Sequence, residues 1–181
     1  SNIDNQPLVS VIMNCYNGEK YLREAINSVY DQTYETWEII FWDNASTDAS
    51  ADIAKSFDSK LKYFYGENTI PLGLARNKAV GHCEGEFIVF LDTDDIWIKE
   101  KLLSQINFMI DSDYILSYSD WYKMIDDKKI NTTSQQKSNH SGYIFNKLIY
   151  NNSINLQTVI INKSRVADNL YFLNNLEIVE E

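Results

Sequence analysis

Short apolar runs alternate with helical segments through the first half of the chain, and this alternation constrains the fold more than any other feature. Helical spacing of Leu22, Ala25, Ile26 and Val29 gives one segment an apolar side that can cover a sheet. Strands that alternate with helices indicate an α/β fold with a Rossmann-like, mostly parallel central sheet flanked by helices. Ligands of such sheets bind outside the carboxyl ends of the strands. The predicted buried strands are residues 8–14, 37–43, 61–66 and 86–92.

The later elements follow from turn signals and spacing. Residues 126–141 are polar and turn-rich, which predicts a loop or a disordered insert. A length of 181 residues favours one domain over residues 1–181, and the last residues stop in mid-pattern, so we expect a domain truncated at its C-terminus. The other predicted elements are a helix with Ser46 as N-cap that ends near Phe57, helices at 74–79 and 98–110, and strands at 114–120 and 156–162.

Charge and cysteine content exclude several classes of protein. The 16 basic and 26 acidic residues give a formal net charge of −10, which repels nucleic acid, so no nucleic-acid partner is expected. The two cysteines, Cys15 and Cys83, are far apart and lack metal-ligand spacing, which indicates neither a disulfide framework nor a zinc site. A reducing, cytoplasmic setting fits this pattern best.

The strongest local signal is the acidic run at 92–95, directly after the most apolar predicted strand. Side chains two residues apart on an extended chain point the same way, so Asp92 and Asp94 can reach one hard cation together, while Asp95 is expected to face elsewhere. A solvated acidic turn that caps the next helix is the alternative. Position after a buried strand favours a metal site, because clustered carboxylates repel one another unless a cation or hydrogen-bond donors compensate.

Three further residues are candidates for ligand binding. Asp43 ends the second predicted strand, where an acidic side chain can accept hydrogen bonds from a base or a ribose. A purely structural role for Asp43 is an Asx-turn, and we expect Asp43 to fill both roles. Tyr16 offers a flat ring for a base, or packs against the protein. Arg76 can pair with a phosphate, hold a site carboxylate in place, or lie exposed.

Taken together, the segments "VSVIMNCYNGEKYLREAINSVYDQTYETWEIIFWDNASTD", "GLARNKAV" and "FLDTDD" resemble the family 2 glycosyltransferases of GT-A fold. The resemblance spans about residues 8–97 in consistent order. It implies an inverting transferase that uses Mn²⁺ or Mg²⁺ to move a sugar from a nucleoside diphosphate sugar, usually a UDP-sugar, to an acceptor hydroxyl. It also implies a glycan or lipid-linked acceptor in surface polysaccharide assembly, with peripheral association of the full-length protein at the cytoplasmic face of a membrane.

The resemblance also assigns roles to the candidate residues. The position of Asp43 contacts the uracil in that family, and Tyr16 lines the base pocket. Asp92, Thr93 and Asp94 form the D-x-D element, in which Asp94 ligates the metal and Asp92 faces the ribose or the metal.

The expected general base comes from the end of the chain. The family uses the acidic residue of an "ED" pair on a later helix, and the similarity aligns Glu180 with its Glu and Glu181 with its Asp. Glu181 is therefore the predicted base, with one methylene more than the family's Asp. A charged terminal tail is the other interpretation of these two residues.

Other enzyme classes fit the chain poorly. Haloacid dehalogenase phosphatases carry their D-x-D on the first strand, whereas about 90 residues precede it here. Sugar-phosphate nucleotidyltransferases and dinucleotide oxidoreductases need glycine-rich loops that the sequence lacks. A non-catalytic nucleotide-sugar-binding module on the same fold stays open, since a fold does not establish an activity.

Overall fold

The computed structural model describes residues 6–125, 128–131 and 155–166. From residue 9 to residue 118, strands and helices alternate as predicted. In chain order the elements are β1 (Val9–Cys15), α1 (Glu19–Tyr30), β2 (Trp37–Asp43), α2 (Ser50–Lys55), β3 (Leu61–Tyr65), α3 (Leu72–Val80), β4 (Phe87–Phe90), α4 (Lys101–Ile110), β5 (Leu116–Tyr118), β6 (Tyr122–Ile125), β7 (Lys128–Asn131) and β8 (Val159–Asn162), with 3₁₀ turns at Leu156–Thr158 and Lys163–Arg165.

Six of the strands form one central sheet in the order β3-β2-β1-β4-β8-β5. Strands β1 to β4 are mutually parallel, and β8 runs antiparallel to both β4 and β5. This confirms the prediction of an α/β fold with a mostly parallel sheet. Since β1 and β4 are neighbours, the loops after them meet at the carboxyl edge of the sheet.

Helices cover both faces of the sheet, so the central strands are buried on both sides. Alternate residues of β1 divide between two apolar clusters. Val11 faces α1, α2 and α4, while Ile12 faces α3. Helix α1 buries the predicted stripe of Leu22, Ala25, Ile26 and Val29. No helix in the described part of the chain is both long and apolar enough to cross a membrane.

Helix α2 differs from the prediction at its N-terminus, because it begins at Ser50 and Ser46 does not cap it. Ser46 joins loops instead: its N–H donates to Oδ1 of Asp43, and its Oγ accepts from the N–H of Asn17. Short polar side chains offer the backbone such alternatives to a helix. The side chain of Asp43 accepts the N–H of the third residue after it, not of the second as in an Asx-turn, so both the Asx-turn and the N-cap predictions are wrong.

Helix α4 begins later than the predicted residue 98, at Lys101. The loop between α1 and β2 occupies the preceding carbonyls: Nε2 of Gln32 donates to the carbonyl of Ile98, and the N–H of Thr33 donates to that of Lys99. The carbonyl of Ile98 also accepts from the N–H of Lys101 at 3.2 Å, so the chain makes a single turn here, and the N–H of Ser104 donates to the carbonyl of Glu100 at 2.9 Å where the helix begins.

The predicted polar insert at residues 126–141 contains a strand. Residues Lys128–Asn131 form β7, which pairs antiparallel with β6 from Ile125↔Lys128 to Tyr122↔Asn131. Polar composition did not reveal this hairpin, because its pairing uses backbone groups that every residue type here carries. Residues 132–141 lie outside the described ranges. The predicted strand at 156–162 is a 3₁₀ turn over its first three residues and a strand only from Val159.

Candidate active site

A cleft of about 380 Å³ opens at the carboxyl edge of the sheet. The segment 14–21, which links β1 to α1, supplies one wall, and Leu72 at the start of α3 adds to it. Asp92, Thr93 and Asp94, which follow β4, supply the other wall. The parallel topology therefore brings two segments about 75 residues apart in sequence to one site, as expected for the edge of such a sheet.

Three carboxylates cluster where β4 ends. One carboxylate oxygen from each of Asp92, Asp94 and Asp95 lies within 4.8 Å of the others. The expectation that Asp95 faces elsewhere is wrong. The N–H of Asp95 donates to the carbonyl of Asp92 at 3.2 Å, and this turn replaces the extended chain on which the expectation rested.

Burial and mutual repulsion act on this cluster. Burial, together with the charges of Asp92 and Asp94, raises the pKa of Asp95 to about 6. Burial also raises the pKa of Asp92, and the charge of Asp94 adds to the rise, while Gln157 and Arg76 partly offset it. The site therefore concentrates negative charge that a cation would relieve.

The donor set fits a hard divalent cation. Every candidate ligand is a carboxylate oxygen, the type that Mg²⁺ and Mn²⁺ prefer, and softer ligands are absent from the clustered set. Asp94 is exposed and faces the cleft, so the cluster is reachable from solvent.

The wall opposite the carboxylates carries aromatic side chains. Tyr16 is 56% exposed and lines the cleft, in the position predicted for a base platform. Tyr21 lies farther along the same wall, with the ammonium of Lys20 4.6 Å from its ring centroid. The only positive charge among the residues that line this cleft is that of Lys20.

The two walls approach closely at Gly18. A Cβ at this position would lie 2.8 Å from Oγ1 of Thr93 and 3.1 Å from Sγ of Cys15. Such contacts are shorter than normal packing permits. Glycine at residue 18 thus lets the loop after β1 rest against the D-x-D run.

Asp43 is fully buried and is absent from the residues that line the cleft. Its Oδ1 accepts from the N–H of Ser46 at 2.8 Å, and its Oδ2 accepts from the hydroxyl of Tyr63 at 2.6 Å. The role of Asp43 in base binding stays a prediction. The sequence did not predict the contact with Tyr63. The parallel register pairs Phe41 with Tyr63, and Asp43, two residues after Phe41, lies on the same face of the sheet as both.

Arg76, on α3, also lies outside the residues that line the cleft. Burial lowers the pKa of Arg76, and the charge of Asp92 raises it, so the two groups stabilise each other. This interaction favours the interpretation in which Arg76 holds a site carboxylate in place.

Gln157 is a site residue that the sequence did not reveal. Its Oε1 accepts from the N–H of Asp92 at 2.8 Å. No motif marks this glutamine, which lies 65 residues after Asp92. Glu180 and Glu181, the predicted base and its neighbour, lie outside the described residues.

Known proteins are similar to this chain in sequence and in fold. TuaG of Bacillus subtilis, named for teichuronic acid biosynthesis, is 37% identical over 125 residues, covering 67% of this chain and 50% of TuaG. The Escherichia coli enzyme WfgD, named a UDP-Glc:alpha-D-GlcNAc-diphosphoundecaprenol beta-1,3-glucosyltransferase, is 36% identical over 160 residues, covering 87% of this chain and 61% of WfgD. The chain thus spans about half to three fifths of these relatives.

A solved structure agrees with this similarity. The crystal structure of S. aureus TarS 1-349 in complex with UDP superposes with a TM-score of 0.75 at 29% identity, covering 95% of this chain and 52% of that one. Residues 10–167 match the model of the family described as Glycosyl transferase family 2. With most of its length inside that match, the chain belongs to glycosyl transferase family 2.

Proposed function

We propose that this chain is the donor-binding part of an inverting, metal-dependent glycosyltransferase that moves a sugar from a UDP-sugar to an acceptor hydroxyl. The observation that carries the proposal is the cluster of Asp92, Asp94 and Asp95 at the end of β4, open to a cleft whose opposite wall exposes Tyr16. This arrangement offers carboxylates for a cation and an aromatic face for a base across one cavity.

The chemistry of the reaction explains these residue types. A divalent cation held by Asp92 and Asp94, with Asp95 beside them, would act as a Lewis acid toward the negative charge of the departing diphosphate. Tyr16 stacks on the base, and Asp43 is proposed to contact it. The charge of Arg76 stabilises that of Asp92, and Thr93 lies against Gly18.

An inverting transfer also needs a base on the acceptor side. A carboxylate that removes the proton of the attacking hydroxyl makes it a better nucleophile. We assign this role to Glu181, with Glu180 as its neighbour, on the strength of the family resemblance.

The relatives support the choice of donor and acceptor. The TarS structure contains UDP, and the name of WfgD specifies a UDP-sugar donor and a diphosphoundecaprenol-linked acceptor. We therefore propose a UDP-sugar donor and a glycan or lipid-linked acceptor. Peripheral association of the longer protein with a membrane, on the cytoplasmic face, would bring it to such an acceptor.

Thermal unfolding of the 181-residue chain with UDP or GDP, each with and without Mn²⁺, tests the donor and the metal. UDP at about 100 times its dissociation constant adds about 2.7 kcal/mol of stability. A chain of this size gains about 2–4 °C in Tm per kcal/mol, so the expected rise is about 5–11 °C. The rise should require Mn²⁺ and be absent with GDP.

Two variants sharpen this test. Asp94→Asn should lose the Mn²⁺-dependent part of the shift, whereas Asp113→Asn, at an exposed carboxylate between α4 and β5, should keep it. Absence of any shift with either nucleotide would refute the donor assignment, and a UDP shift that ignores Mn²⁺ would refute the metal. Binding without sugar transfer in the longer protein would favour the non-catalytic binding module.

A further inference from the structure

Gln157 contacts the acidic cluster from a distant part of the chain. The D-x-D run follows β4, whereas Gln157 lies in the 3₁₀ turn Leu156–Thr158 directly before β8. Because β8 runs antiparallel to β4, with Val89 opposite Ile160, the start of β8 lies beside the end of β4. The antiparallel pairing of β8 with β4 therefore places Gln157 next to Asp92.

The contact engages the backbone of Asp92, the first residue of the D-x-D run. Oε1 of Gln157 accepts the N–H of Asp92 at 2.8 Å, which fixes the backbone that carries the Asp92 carboxylate. The amide oxygen of a glutamine supplies this acceptor, and an apolar side chain of the same size cannot.

The turn that carries Gln157 is itself fixed from several sides. Oδ1 of Asn155 accepts the N–H of Gln157 at 3.1 Å, and Oγ1 of Thr158 donates to the carbonyl of Asn155 at 2.7 Å. The carbonyl of Thr158 accepts from Nε2 of Gln105 on α4 and from the N–H of Ser119 after β5. Gln157 thus lies in a turn that several hydrogen bonds fix in place.

We propose that Gln157 is a positioning residue that holds Asp92 in the orientation needed for divalent-cation binding. The inference rests on the proposed function and extends it to a residue outside the D-x-D run. Three carboxylates within 4.8 Å of one another repel, so without an external constraint Asp92 would rotate away from its neighbours before a cation arrives. Groups that orient metal ligands from behind typically change metal affinity by about 10- to 100-fold when removed.

The test measures Mn²⁺ affinity directly, from the loss of the free-ion EPR signal, in the 181-residue chain with saturating UDP. Gln157→Met and Gln157→Leu remove the acceptor of the Asp92 N–H and keep much of the side-chain volume. The expected result is a loss of Mn²⁺ affinity of about tenfold or more in both variants. The affinity for UDP in the absence of metal should stay within about twofold of the unmodified chain, because Gln157 is absent from the residues that line the cleft.

Ser164→Ala is the matched control. Oγ of Ser164 donates to Oδ1 of Asn162 at 2.6 Å at the opposite end of β8, so this variant loses a turn hydrogen bond far from the cluster. It should bind Mn²⁺ like the unmodified chain. Circular dichroism and Tm verify that each variant is folded.

The outcomes separate the two proposals. If the unmodified chain binds Mn²⁺ with UDP and both Gln157 variants bind it equally well, the positioning role is overturned and the proposed function stands. A parallel fall in metal-free UDP affinity would also overturn it, because the effect would then be a general structural one. If the unmodified chain binds neither Mn²⁺ nor UDP, the proposed function fails and the positioning role fails with it.

Discussion

Gly85 lies in the turn before β4, and replacing it with alanine should destabilise the whole sheet. A Cβ at this position would lie 2.6 Å from the backbone N of Ser10, 2.7 Å from the carbonyl of Leu8 and 2.7 Å from Oγ of Ser10. Two of these atoms belong to the backbone of the segment that leads into and begins β1, so they cannot rotate away. The N–H of Gly85 also donates to Oγ of Ser10 at 2.9 Å, and any displacement weakens that bond.

The expected cost follows from these contacts. Overpacking of a rigid, buried position costs about 2 kcal/mol, and the weakened hydrogen bond adds about 1 kcal/mol. A loss of about 3 kcal/mol is a large part of the 5–15 kcal/mol typical of a folded domain. For a chain of this length it lowers Tm by about 6–12 °C.

Urea unfolding followed by tryptophan fluorescence, together with calorimetry, measures this loss. Gly81→Ala is the matched control, since Gly81 has helical angles (φ −61°, ψ −18°) and the nearest atom to its added Cβ is the carbonyl of Lys78 at 3.4 Å. It should raise stability by about 0.4–1 kcal/mol through the unfolded state. A Gly85→Ala variant within 0.5 kcal/mol of the unmodified chain would refute the argument from close packing.

Two other predictions concern the amino and the carboxyl ends of the central strands. Burial raises the pKa of Glu38, but hydrogen bonds from Lys62, Ser10 and the N–H of Glu84 outweigh it and leave this pKa below its usual value. The ionised carboxylate of Glu38 therefore stabilises the fold above its unfolded-state pKa, and this contribution disappears as the pH falls through its folded-state pKa. In acid titrations of the free energy of unfolding, Glu38→Gln should show a smaller loss of stability below about pH 4 than the unmodified chain. At the carboxyl end of the strands, Gly18→Ala should weaken Mn²⁺-dependent UDP binding by about tenfold and also lower Tm, because its Cβ would lie 2.8 Å from Oγ1 and 3.0 Å from Cβ of Thr93, and the D-x-D run must shift to make room. Unchanged binding by calorimetry would contradict this.

Local patterns were sufficient to predict the central strands and the acidic cluster. Strands β1 and β2 are short, mostly apolar runs, and the apolar stripe on α1 repeats at helical spacing, so both patterns can be read without reference to distant residues. The D-x-D run was identified because it directly follows a buried strand. These features are encoded within short windows of sequence.

Features that depend on long-range contacts or on short turns were not predictable in this way. The turn that closes between Asp92 and Asp95 redirects the third carboxylate, and no periodicity reports it. Gln157 and Tyr63 reach their aspartates only through sheet register. Ser46 illustrates the same limit, because it does not cap α2 but bonds to Asn17 in the loop after β1 and to Asp43 at the end of β2.

The position of β8 has a consequence for how the chain folds during synthesis. Strands β1 to β4 can pair as soon as they leave the ribosome, but β8, the last sheet strand among the described residues, fills a place between β4 and β5. Until residue 162 has emerged, β4 keeps an open edge of unpaired backbone groups, and β5 has no strand to join. Open edges of this kind invite pairing with other chains. A nascent chain stalled between residues 91 and 155 is therefore the form most exposed to aggregation, and it would be a natural client for a chaperone.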